Sequence, residues 1–318
     1  MLIFFILYAK INLITNLTRH IFMKRIEIDR DIAISLLPPR DPKGNKRSFG
    51  RALAIVGSEK YPGAMHLCIE SLLRGGAGYT VLAAEKSITA AVLQKFPEVV
   101  FKQISAFAEM SLGEMDELAN YSASCDSVVI GCGCGVGKKL LHLISALVSR
   151  SGSPIIIDAD ALNSIAKYAV SVKEFFRSAK RPLILTPHEM ELSRLCGIDI
   201  KGIGQRREEI ALELAHEWGV TLLLKGSGTV ISDGEDLFVN SSGSSALAKG
   251  GSGDCLAGLI ASIVASSSLS TASAAALAAY IHGAAGDKCA EEYSEYGVTP
   301  SDLPRAMARE ISRLCKLK

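Results

Sequence analysis

Pro154-Ile155-Ile156-Ile157-Asp158-Ala159-Asp160-Ala161-Leu162-Asn163 decides the fold class. Three consecutive isoleucines leave no polar face for water, so this segment reads as a strand covered on both sides. A helical pattern over 161–168 follows at once. Working outward, residues 127–130, 183–185 and 221–224 repeat the unbroken apolar run, and 52–56 and 80–83 extend the set. Helical patterns over 63–74, 88–94, 138–149, 189–195 and 205–218 lie between them. Such alternation predicts an α/β fold, with a mostly parallel central sheet, right-handed crossovers and helices on both faces. Beyond Leu224 the rhythm changes: 229–232 and 237–239 flank Asp233-Gly234-Glu235-Asp236 as a hairpin, and helices follow over 254–265, 270–292 and 301–314. No linker or repeat interrupts residues 23–318, so one domain is expected there.

Composition narrows the function classes. A net charge of +2 with no basic stripe argues against nucleic acid as a partner. The eight cysteines show no paired zinc spacing and a chain of this length needs no disulfide staples, so free thiols and a cytoplasmic setting are expected. Cys132 and Cys134 have no nearby histidine or second cysteine pair, so no resident metal site is expected. Residues 1–9 are almost wholly apolar but too few to cross a bilayer, which takes about 20. They also lack the basic start and cleavage site of a signal peptide. Residues 1–22 are therefore expected to be an extension outside the fold, and no membrane partner is expected.

In parallel sheets, ligands bind beyond the carboxyl ends of the strands. Five polar or glycine-rich loops fall there: Gly57-Ser58, Gly131 to Gly137, Asp158 to Asn163, Thr186-Pro187-His188-Glu189 and Lys225 to Thr229. Together they predict a long cleft. Gly131 to Lys138 matches neither phosphate-loop pattern, leaving close backbone approach to a ligand or a tight turn. His188 either starts a helix or touches a ligand. Lys225 ends an apolar strand and needs an anionic partner, for which a nucleotide phosphate is one candidate. Asp158 and Asp160 look at first like a metal pair; Asp160 is better read as the N-cap of the following helix, and Asp158 as lying near phosphates through a magnesium-bound water.

Ala246-Leu-Ala-Lys-Gly-Gly-Ser-Gly-Asp-Cys-Leu-Ala-Gly258 carries most of the chemistry. A glycine turn entering a helix gathers backbone N–H groups at the positive end of its dipole, where a phosphate binds. Asp254 in the first turn then places a base beside an anion site. A capped helix start with no ligand is the competing reading of this segment.

In order, these segments resemble the NAD(P)H-hydrate dehydratases that use ADP or ATP, within the ribokinase-like superfamily. The resemblance covers residues 24 to 315. It rests on Gly50 to Ser58, Tyr61-Pro-Gly-Ala64, Leu73 to Gly78, Asp158 to Asn163, Leu185 to Glu191, Leu224 to Thr229 and Ala246 to Asp254. It implies a ribokinase-like three-layer sandwich and repair of hydrated nicotinamide cofactors, (S)-NADHX and (S)-NADPHX. A nucleotide phosphorylates the added hydroxyl, and loss of phosphate restores NADH or NADPH.

By the same resemblance Ala64, Gly135, His188 and Asp254 contact the hydrated cofactor. Lys225, Gly226, Ser227, Gly228, Thr229 and Gly253 hold the AMP portion of ADP or ATP, Mg²⁺ arrives with the nucleotide, and Asp254 is the base. A homo-oligomer, with a tetramer favoured, is implied too. Residues 24–315 leave no room for the epimerase domain of many relatives, so dehydratase activity alone is expected. Departures from the family pattern at Met190, Ser244 and Ser252 remove no charged group. The alternative is a small-molecule kinase of the same superfamily, of the hydroxyethylthiazole or pyridoxal type.

Overall fold

In the computed structural model, residues 24–150 and 152–318 are described; the expectation for residues 1–22 lies outside them. Ten strands form one sheet: β1 (Arg25–Ile28), β2 (Arg51–Ile55), β3 (Tyr79–Glu85), β4 (Val100–Ile104), β5 (Ser127–Ile130), β6 (Ile155–Ile157), β7 (Leu183–Leu185), β8 (Thr221–Leu224), β9 (Val230–Ser232) and β10 (Leu237–Asn240). Their spatial order is β1-β10-β9-β8-β7-β6-β5-β2-β3-β4. All neighbouring pairs are parallel except β8/β9 and β9/β10. The expected α/β class, its central strands and the hairpin are all present, with Leu237 opposite Ser232.

Strand alternation sorts the core into two layers. Ala52, Ala54, Val129, Ile156, Ile184 and Leu223 face one side, packed under helices Pro62–Arg74, Ser252–Ser266 and Thr271–Gly297. Leu53, Ile55, Val128, Ile130, Ile155 and Ile157 face the other, under helices Leu112–Ser122, Lys138–Val148 and Arg207–Trp218. Small residues on the first side permit close helix contact. A Cβ on Gly258 would lie 2.2 Å from the Cys68 carbonyl oxygen, so helix Ser252–Ser266 meets helix Pro62–Arg74 backbone to backbone.

Two strands escape the sequence pattern. β1 alternates charged with apolar residues and β4 sets Lys102 and Gln103 between Phe101 and Ile104, and both lie at the sheet edges with exposed positions. Helices Arg30–Leu36, Leu112–Ser122, Val172–Arg177 and Ile200–Gln205 were likewise not expected; Asp29, Ser111, Ser171 and Asp199 cap them through their side chains. The parallel register brings the ends of β2, β5, β6, β7 and β8 to one edge.

Candidate active site

Gly251 opens the site. Its φ of 108° lies in the region L side chains avoid, and no side chain caps helix Ser252–Ser266 behind it. First-turn N–H groups are therefore left for an external acceptor. Asp254 stands in that turn, half-buried, with its carboxyl pushed up to about 7. Burial is the chief cause and the negative Asp158 the next; a hydrogen bond with Cys132 and the charge of Lys225 act the other way.

Opposite lies a charged cluster from the strand ends. Asp158, 1% exposed, accepts hydrogen bonds through Oδ1 from Lys225 Nζ at 2.7 Å and Thr186 Oγ1 at 2.8 Å. Its Oδ2 accepts a long one from the Cys132 thiol at 3.6 Å. Glu191 Oε2 is 3.8 Å from Lys225 Nζ and accepts from the His188 N–H at 3.0 Å. Burial pulls the Lys225 ammonium down, but Asp158 and Glu191 more than offset it, so the net shift is upward. Burial raises the Glu191 carboxyl, with Lys225 opposing.

These contacts revise three expectations. The anionic partner of Lys225 in this structure is Asp158, 67 residues away, so no phosphate is needed to satisfy it. Asp158 is correspondingly bound into a protein ion pair. Asp160 does not cap its helix: Asp158 holds the N-cap position, without a side-chain bond, while Asp160 Oδ2 accepts from Gly135 N–H at 2.8 Å. Helix Ala159–Tyr168 starts two residues early, and that draws Asp160 inside its first turn.

His188 caps helix Glu189–Cys196: its Nδ1 accepts from the Glu191 N–H at 3.3 Å, and Glu191 returns the bond. Its ring is exposed at the cleft edge, so both readings of this residue are compatible with its place. Gly135, at φ 80°, has open space where a Cβ would point. Ala64 lies against the same loop, since a Cβ on Gly133 would come within 2.8 Å of the Ala64 Cβ. Gly226 has φ 149° and Gly228 φ 63°, and the Thr229 hydroxyl donates to the Gly226 carbonyl at 3.0 Å. Ser227 is exposed beside them. Gly253 meets this loop: a Cβ there would sit 3.3 Å from Lys225 Nζ.

Two residues, Arg207 and His282, went unnoticed in the sequence, and Ser252 was read only as a departure from the family pattern. Arg207 donates to the carbonyls of Leu224 at 3.1 Å and Lys225 at 3.3 Å and pairs with Glu189, fixing the loop after β8. Ser252 Oγ and His282 Nε2 are buried without a hydrogen-bond partner. The His282 ring is pushed down to about 4 by burial, against a hydrogen bond with the Ser252 backbone. Arg207 and His282 sit in helical patterns that look like solvent face and core, and no local signal separates them from those roles.

By fold the chain is ribokinase-like. A ribokinase-like superfamily protein of Enterococcus faecalis superposes with TM-score 0.79 at 25% identity, over 91% of this chain and 96% of its own. Within that class the sequence is more particular: the profile of the NAD(P)H-hydrate dehydratases matches residues 52–309, and the chain belongs to that family. An ADP/ATP-dependent NAD(P)H-hydrate dehydratase from Bacillus subtilis, co-crystallized with ATP/Mg²⁺, superposes with TM-score 0.79 at 27% identity, covering 90% of this chain and 97% of that one.

The ADP-dependent (S)-NAD(P)H-hydrate dehydratase of B. subtilis is 29% identical over 279 residues, 87% of this chain and 94% of the relative. A bifunctional NAD(P)H-hydrate repair enzyme of Thermofilum pendens is 35% identical over 282 residues, 87% of this chain but 53% of its own length. The chain thus spans about half the length of such bifunctional relatives. A hydroxyethylthiazole kinase from Pyrococcus horikoshii, at 20% identity and TM-score 0.59, shares the fold alone. Among the described residues no helix is long and apolar enough to cross a membrane.

Proposed function

We propose that this chain dehydrates (S)-NADHX and (S)-NADPHX to NADH and NADPH, using ADP or ATP to phosphorylate the hydrate hydroxyl. The observation that carries the reading is Asp254: a carboxylate titrating at about 7, beside the uncapped start of a helix and facing Lys225. A base poised near neutrality takes the hydroxyl proton as the oxygen attacks the terminal phosphorus of the nucleotide. First-turn N–H groups of helix Ser252–Ser266 stabilise the charge on the transferred group, and the P–O bond to AMP or ADP breaks. Departure of phosphate with loss of a ring proton then restores the double bond.

Ala64, Gly135 and His188 line the hydrate side of the cleft; Lys225 to Thr229 and Gly253 form the nucleotide side. Two of those glycines have positive φ, which keeps the backbone low enough for a phosphate or ribose to rest against it. Magnesium fits as an ion carried by the nucleotide. The one converging donor group among the described residues is Cys132, Asp158 and Asp254, which offers two carboxylates where Mg²⁺ takes about six oxygens. Phosphates and water would supply its shell, with Asp158 near the phosphates through a magnesium-bound water, and the ion would neutralise charge on the transferred group.

The reading further places residues 23–318 in one catalytic unit of a cytoplasmic homo-oligomer, a tetramer, which light scattering checks. Its decisive test is to supply purified protein with (S)-NADHX, Mg²⁺ and either ADP or ATP. A nucleotide-dependent rise in the near-ultraviolet absorbance of reduced nicotinamide is expected. No rise from folded protein with either nucleotide overturns the reading, and a stable phosphorylated product from a hydroxyethylthiazole or pyridoxal substrate would replace it with the kinase.

A further inference from the structure

The chemistry above leaves the sulfur side of the site unused. Cys132 is fully buried, and its thiol donates to Asp158 Oδ2 at 3.6 Å close to the Asp254 carboxylate. Cys132 comes from the loop after β5, Asp158 from the end of β6 and Asp254 from helix Ser252–Ser266. Three separate elements thus converge on one point, which no local turn or cap requires.

Spacing and charge both suit a cation. The donor atoms of Cys132, Asp158 and Asp254 lie within 4.8 Å of one another. Around a tetrahedral ion with sulfur at ~2.3 Å and oxygen at ~2.0 Å, neighbouring donors are about 3.5 Å apart. The Cys132–Asp158 separation of 3.6 Å already matches that edge. Asp158 divides its oxygens: Oδ1 is held by Lys225 and Thr186, and Oδ2 is turned toward the thiol. With Cys132 as thiolate, its charge and the two carboxylates face the single Lys225 ammonium. A divalent ion neutralises the remainder. Sulfur selects against Mg²⁺ and Ca²⁺, which take oxygen, and in favour of Zn²⁺ and its heavier congener.

We propose that Cys132, Asp158 Oδ2 and Asp254 form a site for a thiophilic divalent cation of the Zn²⁺ or Cd²⁺ type. Binding replaces the Cys132 thiol proton by a bond to the ion and releases that proton to solvent. Because the ion takes Asp254 as a ligand, it also occupies the group assigned as base above. The site stands on the donor geometry, so it can be tested without substrate or nucleotide and fails or succeeds apart from the dehydratase reading.

The test is titration of the chelator-treated, nucleotide-free chain with Cd²⁺, followed through the ultraviolet thiolate-to-cadmium charge-transfer band. One ion per chain is expected to saturate the band, Zn²⁺ to displace it, and excess Mg²⁺ to leave it unchanged. Cys132→Val, which keeps the volume, should abolish that component. Asp254→Asn should weaken Cd²⁺ binding about tenfold or more. A band of equal size and affinity in Cys132→Val would assign the ion to another thiol, such as exposed Cys315, and overturn the proposal. Displacement by Mg²⁺ overturns it as well. Should Cys132→Val not fold, Asp254→Asn, changed at a half-buried position, decides: unchanged Cd²⁺ affinity sinks the site.

Discussion

The strand-end cluster and the glycine turn face each other across the site, yet they are built on opposite terms. At the strand ends, Asp158, Lys225, Thr186, Glu191 and His188 satisfy one another through ion pairs and hydrogen bonds. At the turn, helix Ser252–Ser266 has no side-chain cap, Ser252 Oγ lacks a partner and Asp254 is held near neutrality. The first region spends its charges on holding the loops in place; the second keeps its polar groups unpaired. A fold that leaves such groups unsatisfied in one place marks where a ligand completes it.

Asp254→Asn gives the sharpest separation of the two regions. Turnover should fall by about 10²–10⁴, the range for loss of a positioned base, with nucleotide affinity within severalfold. The same change should stabilise the fold above neutral pH. A carboxyl at about 7 in the folded chain lies well above its ordinary 3.8, so the folded state holds a proton that the unfolded state has released. Stability therefore declines as pH rises from about 4 through 7. Removing the charge should raise Tm by about 1–2 °C at pH 8 by scanning calorimetry, the shift for roughly 1 kcal/mol in a chain of this size. A lower Tm with intact turnover would erase the distinction.

Asp158→Ala tests the other side. Removing one partner strands the Lys225 ammonium in a poorly solvated site and should cost about 3–5 kcal/mol in denaturant unfolding. A loss below about 1 kcal/mol would show that the cluster is as loosely held as the turn. Next in size is the pH response of turnover. With Asp254 needed as the anion, kcat/KM should drop tenfold per pH unit below about 7, and a flat profile down to pH 5 would remove it as the titrating base. The smallest effect is expected where the regions touch. Gly253→Ala adds a methyl 3.3 Å from Lys225 Nζ, so nucleotide KM should rise severalfold while fold stability shifts by no more than about 1 kcal/mol.

How far the sequence foretold this depends on the range of the interaction. Unbroken runs such as Ile155 to Ile157 report burial on both faces directly, so the central strands and their parallel order were readable. Edge strands β1 and β4 were not, because short segments carrying charged or polar residues look like loops. Asp254 was legible as a first-turn carboxylate behind glycines. The Asp158–Lys225 pair was not, since nothing local ties residues 67 positions apart, and Lys225 was accordingly matched with a phosphate. Asp160 was misread because capping is decided by where the helix starts, and that boundary is the least local part of the pattern.

The bare contact at Gly258 sets a dimension of the reaction. Ala64 and Asp254 ride on two different helices, which touch main chain to main chain at Gly258 and Cys68 and share a buried core that includes Ile69 and Leu259. The two arms therefore act as a fixed calliper, holding the hydrate-facing loop and the proton-accepting carboxylate at one gauge.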